Sequence, residues 1–402
     1  MTAEAERDEG DSRHSLETLP ATAVAELRAA SRRILVSAWR EAPDGTAFCV
    51  PNPTTYPWQW LWDSCFHAIV WSHLGDDRGL REIASALREQ DDDGFVPHLR
   101  YATGTDPHAD LWGRGGTSSI TQPPMHGHAL AVQQRAGIEV PGELLERATN
   151  GLRFLLDRRR RTEGDLIELV HPWESGCDDS PRWDGLLGEA WTPERWFRAK
   201  GSLLATIERS RTGAPLANPA VAVGSVGFNA LVAWNALELA SVTDDDRLRS
   251  RAMSLVDALT ARWDPALVTW VDDGPTERGS GRVRTLDALL PLLVDARPEA
   301  FASLADPDAF GAECGPRGVH LAEPAHERTR YWRGPAWPQL TYLLWVASTR
   351  GGVGSVPSTL VRSMVTGALR SGFAEYWVAD SGAPLGAVPQ SWTTLSCVMA
   401  ES

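Results

Sequence analysis

The chain has 402 residues, enough for a large buried core, and a net charge of −14. That charge excludes nucleic acid and anionic membrane surfaces as partners, because both demand basic surface. Eighteen tryptophans stand against five tyrosines; the five cysteines are odd in number, far apart and without CxxC spacing, which excludes a disulfide scaffold and fits a reduced, cytoplasmic protein.

Residues 1–18, opening MTAEAERDEGDSRHS, read as a disordered acidic tail, and with no apolar stretch they are no signal peptide. No run approaches eighteen apolar residues, so no membrane span is expected. From Leu19 onward the dominant period is helical. Helices are expected over 21–39, 64–74, 77–90, 124–136, 142–157, 193–211, 226–241, 244–262, 284–294, 335–349, 357–371 and 390–400. Thr192-Pro193 is a helix start, with Thr as the cap and Pro in the first turn. The basic block Arg158 to Arg161 reads as a solvated helix end. Leu166 to Val170 and Val268 to Val271 are short extended pieces, and alternating strands are otherwise scarce. About twelve helices without a strand framework predict an all-α fold of paired helices packed in rings. No linker interrupts 19–402, which reads as a single domain, and the pattern leaves a homo-oligomer open.

Polar, Trp-rich stretches recur between the helices at 56–67, 94–126, 171–184, 330–339 and 373–392. Loops gathered at one end of a helical barrel would build one cleft, and apolar walls with a few polar groups suit a ligand. In YPWQWLWDSCFHA, Tyr56 and three tryptophans (Trp58, Trp60, Trp62) precede Asp63, which reads as a helix-cap carboxylate or as a grip on sugar hydroxyls. Gln122, before two prolines, either binds a hydroxyl or faces water. HPWESGCDDSPRWD crowds Glu174, Asp178, Asp179 and Asp184 with Arg182, which can hold a carboxylate bidentately. Crowded acids repel, and repulsion raises the pKa of some, as a general acid requires. Cys177 there reads as packing. Trp332, Arg333 and Gly334 precede a helix that opens near Pro335 and carries Trp337; they read as a rigid wall for substrate or as the lead-in to a Pro-initiated core helix. Near the C-terminus, Glu375 stands beside Tyr376 and Trp377, with Trp392 further on. His98, His126 and His128 do not make a metal set, since 126 and 128 do not share a helix face and no acidic ligands complete one. No cofactor is expected. Two separated carboxyl groups among flat rings are what glycosidic bond hydrolysis needs: one protonates the leaving oxygen, one activates water, and the rings stack on sugar faces.

Taken in order, WQWLWDSCFHA, ITQPPMH, ESGCDDSPRWD, YWRGPAWPQLTYLLW and EYW with its later SWT resemble glycoside hydrolase family 63 and its relatives, nearest to the small bacterial mannosylglycerate and glucosylglycerate hydrolases. The resemblance spans about 56 to 393. It implies an (α/α)6 barrel and an inverting mechanism without a metal. It places the general acid on Asp178 and the general base on Glu375, with Asp63, Trp60, Gln122, Arg182, Trp332 and Arg333 around the sugar. The chain departs from the family pattern at Asp179, where members often carry Asn; adjacent side chains point apart, so one of the two acids serves. A glycerate carboxylate needs a cationic or donor-rich pocket, for which Arg100, Tyr101, Arg114, His126 and Arg333 are the candidates. The expected activity is hydrolysis of a small α-glucoside or α-mannoside. The alternatives are a sugar isomerase or epimerase on a helical barrel, which would need histidine-based proton transfer, and a non-catalytic sugar-binding protein.

Overall fold

The computed structural model describes residues 21–187, 191–274, 282–351 and 354–402. The acidic tail expected over 1–18 lies outside them. Fourteen α-helices follow in chain order among the described residues: α1 (Ala21–Ala38), α2 (Leu61–His73), α3 (Arg78–Ala86), α4 (Ala109–Trp112), α5 (His126–Arg135), α6 (Gly142–Arg158), α7 (Asp184–Leu187), α8 (Pro193–Leu204), α9 (Val226–Thr243), α10 (Asp246–Thr260), α11 (Pro298–Ala305), α12 (Pro338–Gly351), α13 (Val356–Ser371) and α14 (Leu395–Ala400). A 3₁₀ segment, Leu286–Leu293, lies between α10 and α11.

Two concentric rings account for twelve of these fifteen segments. The inner ring closes on itself: α2 packs on α5, α5 on α9, α9 on Leu286–Leu293, that segment on α12, α12 on α14, and α14 back on α2. Each inner member has an outer partner, namely α1 on α14, α3 on α2, α6 on α5 and α9, α10 on α9, α11 on Leu286–Leu293 and α13 on α12. The fold is an (α/α)6 barrel. Inner and outer helices differ as this burial demands. In α2 every residue from Leu61 to Ser72 is buried, and α9 is buried around most of its circumference, as expected of helices apolar on all sides. Outer helices such as α6 and α10 bury one stripe, Leu144, Ala148, Leu152 and Leu155 in the first, Leu248, Ala252, Leu255 and Leu259 in the second.

The sequence predicts twelve helices, and two of the assignments differ from the rings. Helix α8 stops at Leu204 because the chain turns into a hairpin, Glu208–Arg209 with Pro215–Ala217, and α8 packs on α4 and α7, outside both rings. Helix α11, which the periodicity does not reveal, completes the outer ring. It is only eight residues long, too short for a clear apolar period, although Pro298 in its first turn is a start signal. Thr192 caps α8 as expected, its hydroxyl accepting from Arg195 N at 3.2 Å.

The motif-bearing loops lead into the inner helices. Residues 56–60 enter α2, 122 precedes α5, 171–184 come before α9, 330–337 precede α12, and 373–392 precede α14. Two-residue strands brace them: Gln59–Trp60 with Leu99–Arg100, and Tyr376–Trp377 with Pro384–Leu385. All the polar loops therefore meet at the N-terminal end of the inner ring.

Candidate active site

At that end lies a cavity of about 290 Å³. Three carboxyl residues line it, Asp63, Asp178 and Glu375. Of the other residues singled out in the sequence, Tyr56, Trp58, Trp60, Trp62, Gln122, Trp332 and Trp392 also line it.

Glu375 stands just before the Tyr376–Trp377 strand, buried to 3% exposure. Tyr56 Oη donates to both its carboxyl oxygens at 3.2 Å, and Ala387 N donates to Oε2 at 3.0 Å. Burial raises its pKa to about 7; the two donors oppose the rise and the nearby charge of Asp178 adds to it. Asp63, in the first turn of α2, is pushed well above the usual carboxylate range, first by burial and then by Glu375.

Asp178 and Asp179 do point apart. Asp178 faces the cavity, and Lys200 Nζ lies 2.5 Å from its Oδ2. Asp179 turns away to Arg330, 3.6 Å from Oδ2, and its backbone oxygen accepts from Arg333 Nε at 3.1 Å. Burial raises the Asp179 carboxyl to about 6 against the pull of those two arginines. Gly176 sets the turn before this pair: its φ is +72°, and a Cβ there would press on the Trp62 ring at 2.6 Å.

The remaining sequence candidates stand behind the wall. Arg159 grips the fully buried Glu174 through two bonds of 3.1 and 2.7 Å, and Thr121 N and Val170 N complete its carboxylate. Arg182 pairs with Asp272 and Asp287 and donates to Ser225 Oγ at 2.6 Å, tying the acidic loop to the cap of α9. Arg333 holds Asp184 bidentately and so fastens that loop to residues 330–334. Trp337 stacks flat between Trp332, 3.6 Å away with rings 3° from parallel, and Tyr376 at 4.4 Å. Trp377 is fully buried and donates to Cys314 O. Gly334 abuts the Glu327 backbone, where no Cβ would fit.

Several further wall residues are not among the sequence candidates, although all but Phe197 fall within the polar, Trp-rich stretches. Trp112, His108, Leu111 and Phe197 join Trp58 and Trp173 on one apolar side, and Tyr331 and Gln390 complete the opposite one. Phe197 is 62% exposed at the mouth. Isolated apolar residues in a Gly-rich loop and on a short helix have no spacing by which to find them. The histidines are dispersed. His98 lines the cavity and is held near 4 by burial, while His126 bonds Ala148 O and His128 sits between Glu238 and Tyr342 in the core. None of the five residues offered for a glycerate carboxylate lines the cavity. Among the described residues the wall has no Arg or Lys at all. Four buried polar atoms on the wall, Trp60 Nε1, Asp63 Oδ1, Trp332 Nε1 and Gln390 Oε1, have no protein partner. Among the described residues no helix is long and apolar enough to cross a membrane.

Residues 56–393 match the family model of the mannosylglycerate hydrolase MGH1-like glycoside hydrolase domain. A glucosylglycerate hydrolase of Mycolicibacterium hassiacum is 27% identical over 85% of this chain and 91% of its own. A mannosylglycerate hydrolase of Thermus thermophilus is likewise 27% identical, over 86% of this chain and 95% of that one. The crystal structure of a Thermus thermophilus family 63 mannosylglycerate hydrolase with Tris and D-glycerate superposes with a TM-score of 0.79 at 26% identity, covering 94% of this chain and all of that one. Neutral trehalase Nth1 of Saccharomyces cerevisiae shares the fold, with a TM-score of 0.58 at 14% identity over 95% of this chain and 80% of its own.

Proposed function

Since the chain belongs to the mannosylglycerate hydrolase MGH1-like glycoside hydrolases, we propose that it hydrolyses a small α-glucoside or α-mannoside, such as glucosylglycerate or mannosylglycerate, with inversion. Asp178 gives its proton to the glycosidic oxygen, and Glu375 takes one from the attacking water on the opposite face. The observation that carries this reading is the pairing of these two carboxyls on one aromatic cavity, with Glu375 poised near neutrality. A base whose pKa lies close to the working pH combines the right ionisation with useful driving force. The unpaired polar atoms of Trp60, Asp63 and Trp332 supply partners for sugar hydroxyls, because buried groups of this kind are normally satisfied. Trp332 offers a ring face held flat by Trp337. Glu174, Arg182, Arg333 and Gly334 then act by fixing the loops that carry the acid and the ring, and the five free, buried cysteines suit a reducing compartment.

The test follows anomer release by proton NMR from glucosylglycerate, mannosylglycerate, trehalose, kojibiose and nigerose, with Asp178→Asn as control. Initial release of the β-anomer from one substrate, absent in the variant, is the expected result. Release of the α-anomer would sink inversion. An active Asp178→Asn protein beside an inactive Asp179→Asn protein would move the acid one residue along.

A further inference from the structure

The chain contains thirty-eight arginines and one lysine. That lysine is Lys200, on α8, the helix that belongs to neither ring. Its ammonium lies 2.5 Å from Asp178 Oδ2 and 5.4 Å from the ring centroids of Trp173 and Trp196. The side chain is buried, and its own backbone oxygen accepts from His171 Nε2 at 2.8 Å.

Elsewhere around the site, carboxylates are held by arginine forks, as Arg159 holds Glu174 and Arg333 holds Asp184. A fork engages both oxygens in fixed geometry and suits a permanent tie. An ammonium on a four-carbon stem is a compact charge with a single point of contact, and it can turn to a new partner. A chain that uses arginine for every other strong cation has its one ammonium on the cavity's Asp178. The wall otherwise presents three carboxyls and, among the described residues, no Arg or Lys, so an anionic ligand entering there finds no cationic partner unless Lys200 turns to it.

We propose that Lys200 reads the charge of the leaving group: it pairs with Asp178 before substrate arrives, and a carboxylate on the aglycone draws it off. This rests on Asp178 being the acid. Asp178, released, takes up a solvent proton and passes it to the glycosidic oxygen as the bond to the sugar breaks. It ends as a carboxylate and competes with the freed hydroxy acid for Lys200, which favours product release. The substrate class selected is α-glycosides of a small hydroxy acid. A neutral aglycone leaves the ammonium on Asp178 and is turned over slowly.

With one lysine in the chain, protein grown on [13Cε]lysine shows a single Cε resonance. It is titrated with D-glycerate and, separately, with glycerol. The expected result is a saturable shift with D-glycerate and none with glycerol; no shift at saturating D-glycerate overturns the proposal, and this measurement needs no variant to fold. In kinetics, Lys200→Gln should cut the preference for glucosylglycerate over the neutral glucosylglycerol about tenfold or more, the size of a lost charged hydrogen bond. Lys200→Arg should also lose turnover, because a fork would not let Asp178 go. Unchanged rate and preference in Lys200→Arg overturn the exchange. A protein that hydrolyses none of these glycosides counts against the reading of the reaction, while the titration still decides the role of Lys200.

Discussion

Glu375 is a carboxyl kept where its charge is disfavoured, and the molecule bears the cost in stability. Its pKa rises from an ordinary 4.5 to about 7, so between those values the folded protein binds more protons than the unfolded chain, and stability falls as pH rises through that window. The shift corresponds to about 3 kcal/mol at pH 8. Glu375→Gln should therefore unfold at higher denaturant than the parent at pH 8, by up to about 3 kcal/mol, and match it near pH 4. Equal stability of the two proteins at both pH values would show that the carboxylate is not strained. Tyr56 acts in the other direction, since its two bonds favour the ionised form. If Glu375 is the base proposed above, the acidic limb of the pH–rate profile in Tyr56→Phe should move upward by about half a unit to one unit; an unmoved limb would detach Tyr56 from that role. At this scale the sequence is legible where residues cluster. The acid pair and the Trp-rich stretches stand out because several demanding side chains fall within a dozen positions. Lys200 does not, since a lone cation has no spacing, although a single lysine among thirty-eight arginines is itself a signal in composition.

Among elements, the loop before α12 is the most constrained. Trp332 has a φ of +59°, in the left-handed region that a bulky residue avoids, and such outliers persist only where the surroundings impose them. Here the imposing parts are the stack on Trp337 and Tyr376 and the close passage of Gly334 against the Glu327 backbone. In Gly334→Ala the added methyl must push that backbone aside, which should lower stability by about 1–3 kcal/mol and raise KM more than it lowers kcat. Unfolding and steady-state kinetics together check this; an unchanged KM would mean that the Trp332 face is not a sugar platform. Helix periodicity recovers eleven of the twelve ring segments, with boundaries shifted by a few residues; most are long helices that repeat their pattern several times, while Leu286–Leu293 is a 3₁₀ segment of eight residues and α14 has only six. It misses α11, whose eight residues repeat it barely twice, and counts α8, whose buried stripe of Trp196, Lys200 and Leu204 lies outside both rings.

For the whole molecule, the closed inner ring makes each helix depend on two neighbours, and no break divides the packing among the described residues. We expect 19–402 to unfold as one unit, with tryptophan fluorescence and far-ultraviolet circular dichroism giving coincident transitions. Two separated transitions would divide the barrel into independent parts. The ring class is readable in the sequence from the sheer number of helices without strands. Its closure is not, because the contact of α14 with α2 joins positions more than three hundred residues apart.

That contact also fixes an order of events during synthesis. Helix α14 is the last inner member to leave the ribosome, and its six residues fill the gap between α12 and α2 while α1, made first, lies against its outer side. Glu375 and Trp392 arrive just ahead of it. Until residues 373–400 have been made, the α12 and α2 faces that α14 covers lack their partner. A stop codon in that stretch would thus yield a sticky polypeptide in need of chaperones, even though nine-tenths of the barrel had already been made.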